Sequence, residues 1–131
     1  MMEREILFRG KRRDSGEWVE GFYTRCHPNF PGDVIETDGD DYVVDPDTVG
    51  QYTGLTDKNG EKIFEGDIIQ GQGRGGKDYF AIRWSAAKCG FTAGDGKQMF
   101  PNLNQATVSG YEVVGNIYDN PSLLEVQDDG T

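Results

Sequence analysis

Nineteen glycines in 131 residues, most of them beside Asp, Asn, Ser or Glu, break this chain into runs too short for ordinary helices. Between the breaks, apolar and polar residues alternate. "EILFRGKRR" and "GEWVEGFYTR" flank Arg13-Asp14-Ser15-Gly16 and predict a hairpin. "VIET" and "YVVD" flank Asp38-Gly39-Asp40, where Asp-Gly favours a tight reversal. "EKIFEGDIIQ" follows Asn59-Gly60 and is interrupted by Glu65-Gly66-Asp67, the mark of a bulge or sharp bend. "KDYFAIRWS" and "GYEVVGNIYDNP" complete the set, and no window keeps helical periodicity over three turns. The pattern predicts a mainly β protein with N-terminal hairpins and little helix.

The length suits one domain, 1–131, with a hairpin region over 1–45, a barrel-like region over 46–126 and an acidic tail at 127–131. No stretch is long and apolar enough to span a bilayer, and the charged N-terminus "MMEREILFRGKRR" is unlike a signal peptide. Two cysteines, Cys26 and Cys89, do not make a secreted disulfide framework, so the expected setting is cytoplasmic. The net charge of −10 is concentrated: residues 28–69 hold eleven acidic and two basic side chains. Such a chain is repelled by nucleic acid unless one face is locally basic.

Several motifs invite chemistry and fail on context. Gly71-Gln72-Gly73-Arg74-Gly75-Gly76 has the spacing of a dinucleotide loop, but that loop needs a following helix whose N-terminus holds the pyrophosphate. "KDYFAIRW" alternates like a strand, so the glycines are expected to form a mobile hairpin bend without nucleotide. Asp57 to Asp67 resembles a calcium loop, yet glycine falls at position four and Ile68 at position twelve, where Glu is required. The acids Asp38, Asp40, Asp41, Asp45 and Asp47 read as a solvated face. Cys26, His27 and Cys89 are too few and poorly spaced for zinc. The lone histidine, His27, precedes Pro28 in a loop, and no nucleophile elbow accompanies it. Neither cofactor nor metal is expected, and no catalytic residue can be nominated.

Arg9, Lys11, Arg12 and Arg13 crowd the first hairpin turn beside Trp18, Phe22 and Tyr23. Basic residues among aromatics can hold single strands on a β-surface, although Trp18 and Phe22 are more often core. The overall acidity weighs against that use.

Three strings carry a resemblance over nearly the whole chain: "ILFRGKRRDSGEWVEGFY", "VGQYTGLTDKNGEKIFEGDII" and "YEVVGNIYDNPSLLE". Together they resemble the YopX family of phage and prophage proteins. The segment from Lys88 to Gly110 matches none of its motifs. The resemblance implies a β-rich fold with a C-terminal SH3-type small barrel, and it implies no established activity. Tyr52, Phe64, Ile68, Phe80, Ile82, Trp84, Val113 and Ile117 are the expected apolar filling. Asp67 is expected to cap local backbone amides at the turn into its strand.

The reading that follows is a phage- or prophage-encoded, non-catalytic binding protein. A host or phage protein is its first expected partner, with Tyr52, Asp57, Asp67 and Trp84 as candidate contacts. A nucleic-acid accessory role through Arg9, Lys11, Arg12, Arg13, Arg74, Lys77 and Arg83 comes second. Third is an acidic decoy of DNA using the aspartates between Asp33 and Asp67. A homo-oligomer stays open, and no membrane is expected.

Overall fold

The computed structural model describes residues 6–73, 76–94, 99–100 and 103–126. It is mainly β, with 51% strand and 9% helix. Compactness divides it into two units, Met1–Gly54 and Leu55–Thr131.

In the first unit, β1 (Phe8–Lys11) and β2 (Trp18–Thr24) form one hairpin, and β3 (Val34–Glu36) and β4 (Asp41–Val43) form the next. β5 (Gly50–Thr56) returns beside β1, giving the antiparallel order β4-β3-β2-β1-β5. The polar reversals sit where the sequence places them. Arg12 N donates to the Glu17 carbonyl at 2.9 Å, and Thr37 N donates to that of Asp40 at 2.8 Å. Between β4 and β5, Pro46–Thr48 forms a single 3-10 turn, its start capped by Asp45, whose Oδ1 accepts from Asp47 N at 3.0 Å. Proline fits there because the first turn of a helix has no use for its missing N–H. Val34, Ile35, Val44 and Tyr52 are the buried apolar residues of this unit.

The second unit takes in the end of β5 and then β6 (Lys62–Phe64), β7 (Asp67–Gly73), β8 (Gly76–Ser85), β9 (Gly90–Gly94), β10 (Met99–Phe100) and β11 (Glu112–Asn116). Strands β10-β9-β8-β7-β11 lie in that order in an antiparallel sheet. Ile63, Ile69, Phe80, Ile82, Ala93 and Val108 form the core, with Leu55, Phe91, Leu103, Tyr111 and Val113 packed against it. Phe80 and Ile82 alternate onto that core as expected, but Trp84, the next residue of the same face, is 51% exposed. Of the other expected filling residues, Tyr52 belongs to the first unit, while Ile63, Ala93 and Val108 had not been singled out. The ladders make β10 and β11 the edges of the sheet, and no ladder among the described residues joins those edges. The SH3-type closure is therefore a finer description than these ladders establish.

The glycine-rich stretch is a strand pair. Gly71, Gln72 and Gly73 continue β7, Gly76 opens β8, and Gly73 faces Gly76 across the ladder. A strand, not a helix, follows, so no row of free helix amides is presented there. Arg74 and Gly75 lie outside the described residues. Gly71 is also a packing residue, because the Tyr111 ring comes within 2.6 Å of where its Cβ would be. The unaligned segment from Lys88 contains β9, β10 and α1 (Gln105–Val108). Asn104 and Thr107 cap that helix reciprocally, each side chain accepting from the other's backbone N–H at 3.0 Å. A second short helix, α2 (Ser122–Val126), follows Asn120-Pro121. No helix among the described residues is long and apolar enough to cross a membrane.

Candidate functional site

Asp57 is 5% exposed and uses both carboxylate oxygens inside the second unit. Oδ1 accepts from Asn59 N at 2.8 Å and Glu61 N at 2.9 Å, closing the Asp57–Gly60 turn. Oδ2 accepts from Val113 N at 2.8 Å, which ties the turn to β11. Lys58 N donates to the Tyr111 carbonyl at 2.9 Å, and Asn59 Nδ2 reaches Glu112 Oε2 at 3.3 Å. A carboxylate taken up by three backbone donors holds the fold and has little left for a ligand.

Asp67 behaves in the same way. It is 1% exposed, and its Oδ2 accepts from Phe64 N at 2.8 Å across the Glu65-Gly66 bend. Gly66 has φ +94°, a left-handed conformation that glycine enters without strain. A Cβ there would also come within 3.0 Å of the Tyr118 ring. Gly66 N donates to the Ile82 carbonyl at 2.8 Å, and its own carbonyl accepts from Ile117 N at 2.9 Å. Beyond β11, Asn116 Oδ1 accepts from Tyr118 N at 3.0 Å and Asp119 N at 2.9 Å. The strings "DKNG", "EGD" and "GNIYDN" thus meet as one backbone-supporting network. Tyr52, in the first unit, is buried, and its N–H donates to the Leu7 carbonyl at 2.8 Å.

The basic cluster is divided by the pleat. Directly opposed residues of an antiparallel pair share a face. Lys11 pairs with Trp18 and Arg9 with Glu20, so Arg9 and Lys11 lie on the Trp18 face. There the Arg9 guanidinium sits 4.6 Å from the Trp18 ring centre and Lys11 Nζ 5.6 Å from it. Arg12 turns the other way, 4.3 Å from the Tyr42 ring centre, and holds Asp14 through Nε at 2.9 Å and Nη2 at 2.7 Å. That bidentate hydrogen bond raises the Arg12 pKa and lowers that of Asp14. One arginine is already neutralised, and two cations are stacked on an indole.

The four residues do not form the single phosphate cradle that their crowding in the sequence suggested. Engaging Arg9 and Lys11 alone would give a salt slope of about −1.4 on single strands. A mobility-shift titration with random single-stranded DNA at physiological salt is expected to show no complex. Tight binding lost on changing Arg12 and Arg13 to alanine would restore the nucleic-acid reading.

The other candidates separate. Cys26 and Cys89 are both free and exposed, one in each unit. Neither ring nitrogen of His27 is idle: Nε2 lies 3.0 Å from Asp41 Oδ2, and Nδ1 accepts from Asn29 N at 3.0 Å. No group of three or more His, Cys, Asp or Glu is placed to hold a metal ion among the described residues. Asp38, Asp40, Asp41 and Asp47 are exposed, whereas Asp45 caps its 3-10 turn. Tyr23 donates to Asp33 and accepts from Arg25 Nε at 3.1 Å, and burial raises its pKa.

Two aromatic side chains stand out on strand faces instead. Phe22 of β2 is 70% exposed, and Trp84 of β8 is 51% exposed with its ring edge-on to Phe91 at 5.2 Å. The sequence reading placed both in the core. A signal against that was present for Phe22, since Glu20 shares its face of β2.

A family model described as YopX protein matches residues 7–125. The chain belongs to the YopX family. Comparison with curated proteins gives no match. Among solved structures, this YopX-family chain is similar to the crystal structure of protein EF1440 from Enterococcus faecalis. The two are 25% identical with a TM-score of 0.61, over 93% of this chain and 99% of that one. The residues that carry the family resemblance are those of the Asp57, Gly66 and Asn116 network, so membership speaks to the fold before it speaks to a ligand.

Proposed function

We propose that this YopX-family protein is a non-catalytic protein-interaction module of phage or prophage origin, working in the bacterial cytoplasm. The observation that carries the reading is the pair of exposed strand aromatics, Phe22 and Trp84. Large apolar rings in the wet part of a sheet cost solubility, and aromatic residues beside arginine are the commonest anchors of protein interfaces. The non-catalytic part is supported by His27, whose two nitrogens are committed to Asp41 and Asn29. It is supported also by Asp57 and Asp67, whose carboxylates serve backbone donors. The cytoplasmic setting fits two cysteines that are free and exposed. Phage or prophage origin rests on the family alone.

Affinity capture from host cells during prophage induction tests the reading, comparing the native chain with the Phe22→Ala/Trp84→Ala variant. The expected result is a partner enriched by the native chain and depleted at least about tenfold by the variant, the loss expected when interface anchors are truncated. A partner held equally by both, or no partner at all, would overturn it.

A further inference from the structure

The two exposed aromatics sit in opposite electrostatic settings. In the first unit Phe22 lies directly opposite Glu36 on β3, and Glu36 lies opposite Asp41 on β4. Glu20, two residues before Phe22, shares its face. Glu20 and Asp41 are exposed and Glu36 is half-buried, so an apolar ring stands among three carboxylates. In the second unit the β8–β9 hairpin ends in the reverse combination. Arg83, Trp84 and Lys88 are all exposed, and no acidic residue occurs between Asp78 and Asp95.

We propose that the Trp84 tip of one copy docks on the Phe22 face of a second copy. Arg83 and Lys88 would meet Glu20, Glu36 and Asp41, and the Trp84 and Phe22 rings would leave water together. The inference rests on the interaction-module reading and names one occupant for its surfaces. If each copy offers its tip to the other, the contact closes as a two-fold dimer; if not, it propagates head to tail. Two chains of charge −10 repel at long range. Beyond about 8 Å that repulsion is screened at physiological ionic strength, so short-range complementarity decides. Salt weakens attraction and repulsion alike, which makes exchange of charge the sharper probe.

Sedimentation velocity of the full chain from about 1 to about 100 µM, the span in which a modest interface populates its complex, is the test. The native chain is expected to sediment faster as concentration rises. Arg83→Glu/Lys88→Glu is expected to stay monomeric, and so is Glu20→Lys/Glu36→Lys. An equimolar mixture of the two charge-reversed variants is expected to associate again, because each then offers what the other lacks. Phe22→Ser and Trp84→Ala, with melting profiles like the native chain, supply monomeric controls that carry no charge change. A native chain that stays monomeric, or a mixture that fails to associate, overturns the self-contact. Loss of the captured partner in the Phe22→Ala/Trp84→Ala comparison is a separate readout, so the module reading stands or falls independently.

Discussion

Replacing Asp57 by alanine is expected to destabilise the second unit by about 3–5 kcal/mol, as three hydrogen bonds to a buried carboxylate are lost together. The three amides of Asn59, Glu61 and Val113 would be left without their acceptor. Two of them close the turn before β6, and the third belongs to β11, so the loss falls on two elements far apart in sequence. For a unit of this size the midpoint should fall by about 15 °C. Asp57→Asn discriminates further. An amide keeps one acceptor oxygen for Asn59 and Glu61 but turns a donor toward the Val113 N–H, or the reverse on flipping. It cannot serve both sides, and about half of the alanine effect is expected. Thermal and denaturant unfolding of the three proteins provide the measurement. An alanine variant within about 0.5 kcal/mol of the native chain, the range of an ordinary surface change, would show that the network is not formed.

Asp57 also shows how much of the molecule was legible in its sequence. Turn dipeptides and alternation located the hairpins and the break at Gly66, because those choices are local and the backbone rules are strict. The partner of Asp57 Oδ2 is 56 residues away, and no local rule nominates Val113. The short helices were passed over for a related reason. α1 spans four residues and is held by its Asn104–Thr107 caps and by buried Val108, not by a periodic stripe. Trp84 continues the alternation of Phe80 and Ile82, so pattern alone put it in the core; the core ends one residue pair earlier, and only the packing shows where. The basic cluster failed in the opposite sense. Four cations within five residues look like one patch until the pleat sends alternate side chains to opposite faces. For the candidate site, then, the sequence supplied the residue types, and the ladders decided which of them could act together.

The same ladders make Gly21 the most demanding position of the first unit. It pairs with Phe8 of β1, and the neighbouring backbone of β3 comes unusually near. A Cβ at Gly21 would collide with the Glu36 carbonyl oxygen and lie 2.9 Å from that carbonyl carbon and 3.2 Å from Ile35 Cγ2. A flexible side chain could step aside. A backbone carbonyl inside a ladder cannot do so without opening the β2–β3 pairing. Gly21→Ala is therefore expected to cost at least about 3 kcal/mol, above the usual range for one extra core carbon. It should also reduce the protection of the Phe22, Tyr23 and Thr24 amides in hydrogen exchange, as strands β2 and β3 part. Gly39→Ala is the matched control. Its Cβ meets nothing within 4 Å and its φ is not positive, so the substitution only narrows the unfolded ensemble. It is expected to be neutral or to stabilise by up to about 1 kcal/mol. If the two alanine variants melt alike, the close approach of β2 and β3 is wrong. The row that sets Phe22 against Glu36 and Asp41, and with it the self-contact, would then lose its geometric basis.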